Sequence, residues 1–102
     1  MDTPVKLLLT WDIAPEHEQD YFEFVLGEYV PGIQRLGLQP SDAWVTVYGG
    51  YPQILVGVVA ASREEATKSL HSEEWINLHD KLSTFVQNYS CRIVPVRGGF
   101  QF

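Results

Sequence analysis

One histidine of this chain stands where its chemistry could be used. His79 follows Trp75 by one helical turn on a predicted apolar helix face, so both side chains would point the same way. The imidazole titrates near neutrality and could accept or donate a proton, or act as an axial metal ligand. The alternative is a histidine at the edge of the core that bonds a backbone group. We take His79 as the candidate catalytic residue.

Aromatic and acidic side chains could build a pocket beside this histidine. Asp12 ends the first predicted strand, where a buried carboxylate could orient a histidine or act as a base. It could instead cap the following helix. Flat aromatic rings could wall the pocket, or they could simply fill the core. The predicted ligand-binding residues are Trp11, Asp12, Tyr21, Tyr29 and Trp75.

The remaining histidines and the cysteine do not form a metal-binding pattern. On one continuous helix, His71 and His79 would be separated by about 12 Å of rise, too far to hold one ion. His17 lies among acidic residues, where a solvated surface is expected and a weak metal site is the alternative. Cys91 is the single cysteine, so no internal disulfide can form and a buried, inert thiol is expected. We therefore predict neither a metal nor a cofactor.

The composition restricts the class of protein. The chain has 102 residues, 45% hydrophobic and 20% charged, which predicts one domain with its core at about 4–97 and a tail at 98–102. The formal net charge of −6 disfavours nucleic acid or an anionic membrane as a partner. The longest apolar run, residues 54–61, is too short to span a bilayer, and the first residues show no secretion signal. We expect a cytoplasmic protein.

The first forty residues predict a strand followed by a helix. Residues 5–13 are apolar and rich in strand-forming types. Residues 14–16 indicate a helix start, Pro31 should kink or break the helix, and Gly37 should end it. The predicted apolar stripe of this helix is Phe22, Val25, Leu26, Tyr29, Ile33 and Leu36.

Two further helices are predicted in the second half of the chain. Ser62 opens a capping box, and the short helix that it begins should end near Leu70. Ser72 then caps a longer helix. Its predicted apolar stripe is Trp75, Leu78, His79, Leu82, Phe85, Val86 and Tyr89.

Three more strands complete a recognisable order. Residues 43–48 and 53–61 should form a hairpin around the turn at 49–52, and residues 91–96 should form the last strand. The main elements then run strand, helix, strand, strand, helix, strand. Right-handed crossovers place both helices on one face of an antiparallel sheet. The sequence therefore predicts an α+β, ferredoxin-like fold.

Strand alternation makes both faces of this sheet largely apolar, although the helices can cover only one. The covered face should carry Val5, Leu7, Leu9, Trp11, Val45, Val47, Ile54, Val56, Val58 and Ile93. The other face is best covered by a second copy of the chain in a two-fold dimer. The alternative is a face that is merely more apolar than usual. Phe100 and Phe102 could cross the interface or belong to a frayed end. The predicted interface residues are Trp44, Thr46 and Tyr48.

Four segments of the chain carry a family resemblance. They are LLLTWDI, YFEFVLGEYVPGIQRLG, the hairpin around GGYP, and Ser72–Leu78, with the pattern S-x-E-W-x-x-L. Together they resemble the dimeric α+β barrel superfamily, especially its NIPSNAP-like and antibiotic-biosynthesis-monooxygenase-like members. The resemblance implies a homodimer with a pocket between sheet and helices, in a superfamily of cofactor-free oxygenases, haem degraders and isomerases. A haem-degrading member would be expected to offer an asparagine on the first strand, where this chain has Thr10 and Asp12.

Two hypotheses for function follow. In the first, a homodimer binds a small aromatic or polyketide-like molecule, and the resemblance implies a cofactor-independent oxygenation or isomerisation in which His79 moves a proton. In the second, the chain is a non-catalytic dimerisation or stress-response module. Its aromatic residues would then fill the core and leave no open pocket.

Overall fold

Four strands form one antiparallel sheet. A computed structural model describes residues 3–48 and 51–96, and the side chains at 47, 48, 51 and 52 lie outside that description. The strands are β1 (Val5–Ile13), β2 (Gln39–Tyr48), β3 (Tyr51–Ala60) and β4 (Val86–Pro95). They lie in the order β2-β3-β1-β4, with helices between β1 and β2 and between β3 and β4. This arrangement confirms the predicted ferredoxin-like α+β fold.

The first helical stretch is continuous but not α-helical throughout. Its parts are α1 (Glu18–Phe24), a π-helical turn (Val25–Tyr29) and α2 (Val30–Arg35). The predicted start at residues 14–16 is wrong, because Glu16 has a φ of 70°, outside the right-handed helical region. Gly37 follows the last turn with a φ of 85°, so the predicted end is confirmed.

The π-helical turn takes the place of the break predicted at Pro31. The backbone N–H of Val30 donates to the carbonyl of Val25, five residues back rather than four. Proline has no N–H, and its ring crowds the carbonyl four residues earlier in an α-helix. A turn widened by one residue relieves that conflict, and the helix continues through Pro31 to Arg35.

The widened turn also explains why part of the predicted stripe is wrong. Phe22 and Leu26 were expected inside, but they are 48% and 72% exposed. The predicted stripe assumes a uniform α-helical period, which does not allow for the extra residue. It therefore assigns Phe22 and Leu26 to the wrong face of the helix. The side chains of this stretch that are buried are Tyr21, Phe24, Tyr29 and Ile33.

Serine caps begin the two later helices as predicted. These helices are α3 (Arg63–Leu70) and α4 (Glu73–Leu82). The Ser62 hydroxyl accepts the N–H of Glu65 at 3.1 Å, and the Ser72 hydroxyl accepts the N–H of Trp75 at 3.2 Å. No helix among the described residues is long and apolar enough to cross a membrane.

The end of α4 and the start of β4 differ from the prediction. The helix ends at Leu82, and β4 begins at Val86 rather than at residue 91. The hydroxyls of Ser83 and Thr84 donate to carbonyls of the last helical turn, so these side chains favour a helix end. The last residues of the predicted helical stripe, Val86 and Tyr89, therefore belong to β4 and not to the helix.

The sheet places most of the predicted faces correctly. The side chains of Val5, Leu7, Leu9, Trp11, Ile54 and Val58 are buried beneath the helices, as predicted. Val45 belongs to the same face, since it pairs with Ile54. It is nevertheless 62% exposed, because β2 is an edge strand and this end of it is not covered.

The predicted interface residues lie on β2. Trp44 pairs with Leu55, on the face away from the helices, and is 55% exposed. Thr46 shares that face and is also exposed. The side chain of Tyr48 lies outside the described residues, and so do the turn glycines at 49–50 and the aromatic residues of the tail.

Two glycines of the first helical region should respond oppositely to alanine. Gly37→Ala should lower the free energy of unfolding by about 1 kcal/mol, because alanine is strained at a φ of 85°. Gly27→Ala should raise it by about 0.5 kcal/mol, since Gly27 lies in the helix with open space around it. Urea denaturation measures both. Equal effects of the two variants would contradict the assigned backbone conformations.

Candidate functional site

An apolar cavity lies between the first helical stretch and the β2–β3 edge of the sheet. Its volume is about 420 Å³, within the range of small-molecule sites. Strands β1, β2 and β3 provide one wall, and α1, the π-helical turn and α2 provide the other. Its deeper lining residues are Trp11, Tyr21, Tyr29, Ile33, Ile54 and Val56.

The mouth of the cavity is formed by apolar side chains that remain in contact with water. Phe22, Leu26 and Val45 all line the cavity, and all three are exposed by about half or more. Phe22 and Leu26 lie there because the π-helical turn rotates them away from the core. Val45 lies there because the edge strand is uncovered. These three apolar residues therefore surround one opening.

A buried hydrogen bond joins two aromatic residues of the wall. The indole N–H of Trp11 donates to the hydroxyl oxygen of Tyr21 at 2.9 Å, and both side chains are almost fully buried. Burial raises the pKa of Tyr21, so its hydroxyl stays protonated at physiological pH. The pair is a neutral, fixed polar group in an otherwise apolar wall.

A second hydrogen bond links Tyr29 to His79. His79 Nδ1 lies 2.9 Å from the carbonyl oxygen of Trp75, and a carbonyl only accepts, so Nδ1 carries the proton. Burial lowers the pKa of His79, so the ring is neutral and Nε2 is free to accept. The Tyr29 hydroxyl, 2.9 Å from Nε2, is therefore the donor. Burial also raises the pKa of Tyr29 well above its usual value.

The structure divides the predicted site into two layers. Trp11, Tyr21 and Tyr29 line the cavity, whereas His79 and Trp75 do not. The ring of Trp75 packs against that of His79 with centroids 4.0 Å apart. His79 is therefore connected to the cavity through the hydroxyl of Tyr29.

Asp12 is not part of this arrangement. Its neighbour Trp11 is buried beneath the helices, so alternation places Asp12 on the opposite face of the sheet. The predicted role of Asp12 in the pocket is therefore wrong. The alternative, a helix cap, does not form either, since α1 begins at Glu18. Asp12 instead accepts a hydrogen bond from the side-chain amide of Asn88 at 2.7 Å.

Tyr89 joins this cluster from β4 and not from the predicted helical stripe. The β1–β4 register shifts between Thr10 and Asp12, and Asn88 has a φ of 57° in the resulting bulge. The Tyr89 ring then lies parallel to Trp11, with centroids 6.2 Å apart, and 5.3 Å from the His79 ring. In the sequence, Asn88 is the residue that could have indicated this bulge, because asparagine adopts positive φ more readily than most residues.

The other histidines and the cysteine lie apart from the cavity. His71 Nδ1 bonds the carbonyl of Thr67 at 2.8 Å, and the His17 ring packs near Phe85. Cys91 is half-buried, and burial raises the pKa of its thiol. Within residues 3–48 and 51–96, no three histidine, cysteine, aspartate or glutamate side chains come together as a metal site.

Comparison with solved structures shows the same fold in several bacterial proteins. A NIPSNAP family protein from Agrobacterium tumefaciens superposes with a TM-score of 0.73 at 17% identity, covering 96% of this chain and 90% of that chain. A NIPSNAP-like domain protein from Burkholderia xenovorans gives 0.72 at 11% identity, covering 99% and 91%. A proposed antibiotic biosynthesis monooxygenase from Nitrosomonas europaea gives 0.66 at 7% identity, covering 94% and 92%.

These similarities confirm the fold implied by the resemblance. The identities are too low to carry an activity from any of these proteins to this chain. No protein-family model matches the sequence, and no curated protein matches it. The cavity itself is therefore the basis for inferring function.

The Tyr29–His79 bond predicts how His79 titrates. Followed by NMR, the imidazole should titrate below its usual pKa of 6.5, because burial disfavours the charged ring. Its contribution to stability should be complete above pH 6.5 and should be lost as pH falls through the folded-state pKa. Tyr29→Phe should raise the titration midpoint, since it removes a donor that stabilises the neutral ring. A midpoint at or above 6.5 in the wild type, or a lower one in the variant, would contradict this assignment.

Proposed function

We propose that the chain is a homodimeric protein that binds a small, uncharged aromatic or apolar molecule in the cavity. The supporting observation is an apolar space of about 420 Å³ with an aromatic wall and an open mouth. Ligand sites commonly have this character, with predominantly apolar walls and few polar groups. The cavity favours this hypothesis over a dimerisation module without an open pocket.

Two features of the cavity favour an occupant over an unused gap. Protein cores are packed nearly as densely as organic crystals, and a void removes contacts that its lining side chains would otherwise make. The mouth also leaves Phe22, Leu26 and Val45 in contact with water. One apolar ligand would fill the space and cover part of this surface.

Charge selects against an anionic ligand. Asp42 is the one charged residue among the described residues that line the cavity. Its carboxylate lies over Gly57 and pairs with Lys6 at 3.2 Å, on the face of the sheet away from the helices and the cavity. An anion would have to enter an apolar space to which none of the described lining side chains brings a positive charge, in a chain with a net charge of −6.

The face of the sheet away from the helices supports the homodimer. Trp44 is half exposed on this face, beside Leu55 and in register with Thr10 across the sheet. Trp44 offers a large amphipathic surface, a residue type enriched at protein interfaces. The Thr10 and Ser90 hydroxyls, which bond each other at 2.6 Å, lie on neighbouring strands. A second copy of the same face would cover the apolar groups.

Ligand binding can be tested by filling the cavity from its edge. Ala43 lines the cavity and is exposed, so Ala43→Trp should block the space without disrupting the core. The probe is prodan, a neutral naphthyl ketone whose emission reports its surroundings. Ala43→Trp should weaken binding by about tenfold or more. Ala61→Trp, an exposed site outside the cavity, should bind like the wild type. Equal binding by all three proteins would refute the cavity as the site.

A catalytic role is a second candidate, favoured by the bond between Tyr29 and His79. Tyr29 lines the cavity, and its hydroxyl already donates to a neutral imidazole. His79 could therefore take up a proton that Tyr29 relays from a bound compound. The apolar wall would exclude water during an isomerisation or a cofactor-independent oxygenation.

Turnover of a compound recovered from the purified protein tests this role. His79→Ala should reduce kcat by about a hundredfold. KM should change little, because His79 does not line the cavity. Ile76→Ala, on the exposed side of α4, provides a control of similar size. An unchanged kcat in His79→Ala would eliminate the catalytic role and leave the binding function intact.

A further inference from the structure

We infer that Tyr21 is the polar anchor of the cavity and that it selects ligands carrying an uncharged hydrogen-bond acceptor, such as an aromatic ketone. This inference rests on the proposed binding function and adds the chemical class of the ligand. It assigns a specificity-determining role to one hydroxyl hydrogen.

The hydroxyl of Tyr21 is only half used by the protein. Its oxygen accepts the indole N–H of Trp11 at 2.9 Å. In the described part of the chain, its hydrogen is donated to no acceptor. The side chain is 2% exposed and lines the cavity, so bulk water is not its natural partner. Leaving a buried donor unsatisfied is costly, and a ligand acceptor would remove that cost.

The other side-chain polar hydrogens among the described lining residues are already engaged. Trp11 donates its N–H to Tyr21, and Tyr29 donates its hydroxyl hydrogen to His79. Among the described lining side chains, Tyr21 therefore provides the donor available to a ligand. The complementary group on the ligand is an acceptor oxygen such as a carbonyl.

The Trp11 bond prepares Tyr21 for this role. It fixes the position of the hydroxyl oxygen, and a hydroxyl that accepts a hydrogen bond becomes a stronger donor. Burial keeps the pKa of Tyr21 raised, so the hydrogen remains in place. A carboxylate acceptor is disfavoured, because the cavity is largely apolar and none of its described lining side chains carries a positive charge. A neutral carbonyl on an aromatic ring meets each of these conditions.

A matched pair of ligands tests the selection. Prodan carries a ketone, and 2-(dimethylamino)naphthalene has the same rings and amine without it. The wild type should prefer prodan by about tenfold. Tyr21→Phe should bring the ratio of affinities close to one and leave binding of the second compound almost unchanged. It should also shift the emission of bound prodan to shorter wavelength, because the carbonyl loses its hydrogen bond.

The outcomes separate this inference from the proposed function. Tyr89→Phe removes a tyrosine hydroxyl outside the cavity and should retain the wild-type ratio and emission. A general loss of folding in Tyr21→Phe would weaken both compounds equally, so the ratio of affinities distinguishes it from loss of the anchor. If the wild type binds both compounds equally well, the inference is wrong and the binding function stands. If the wild type binds neither compound, the inference and the proposed binding function are both wrong.

Discussion

The π-helical turn at Val25–Tyr29 is the constraint on which the cavity depends. Pro31 cannot donate a backbone hydrogen bond, and the preceding turn is wider by one residue. One extra residue corresponds to a rotation of about 100° between the two parts of the helix. Phe22 and Leu26 therefore face the mouth of the cavity, while Tyr29 lies beneath the helix against His79. A straight α-helix would not present both sets of side chains in this way.

Two hydrogen bonds, one buried and one partly buried, then fix the orientation of the aromatic core. Trp11 is held by Tyr21, and Tyr29 is held by His79, whose own orientation is set by the carbonyl of Trp75. In the part of the chain that the structure describes, no buried side-chain nitrogen or oxygen lacks a partner. Such bonds hold side chains that dispersion alone would allow to shift. The two tyrosines consequently differ, since one hydroxyl hydrogen is engaged by a histidine and the other is available.

Local signals predicted most of the fold because they act over a few residues. The serine caps at Ser62 and Ser72, the glycine at Gly37 and the alternation along β1 each gave the observed structure. The predictions that were wrong concern sequence patterns that are compatible with two different local structures. A proline in a helix permits either a break or a widened turn. The apolar spacing after Leu82 suits either a helix or a strand, and tertiary pairing with β1 decides it.

The candidate site was predictable in composition but not in arrangement. The sequence predicts Trp11, Tyr21 and Tyr29 as aromatic residues of a pocket wall, and all three line the cavity. The sequence did not indicate that His79 would lie behind Tyr29, because that depends on the helix register set by the π-helical turn. Asp12 was misplaced although alternation from Trp11 already assigns it to the other face.

Native mass spectrometry of the full chain tests the central claim, a dimer with a ligand in its cavity, most directly. We expect twice the mass of the chain at micromolar concentration and additional bound mass when an uncharged aromatic ketone is offered. Trp44→Arg should yield monomer, whereas Ile76→Arg, a similarly exposed apolar site on α4, should remain dimeric. A wild-type monomer, or a dimer that takes up no such compound, would contradict the account.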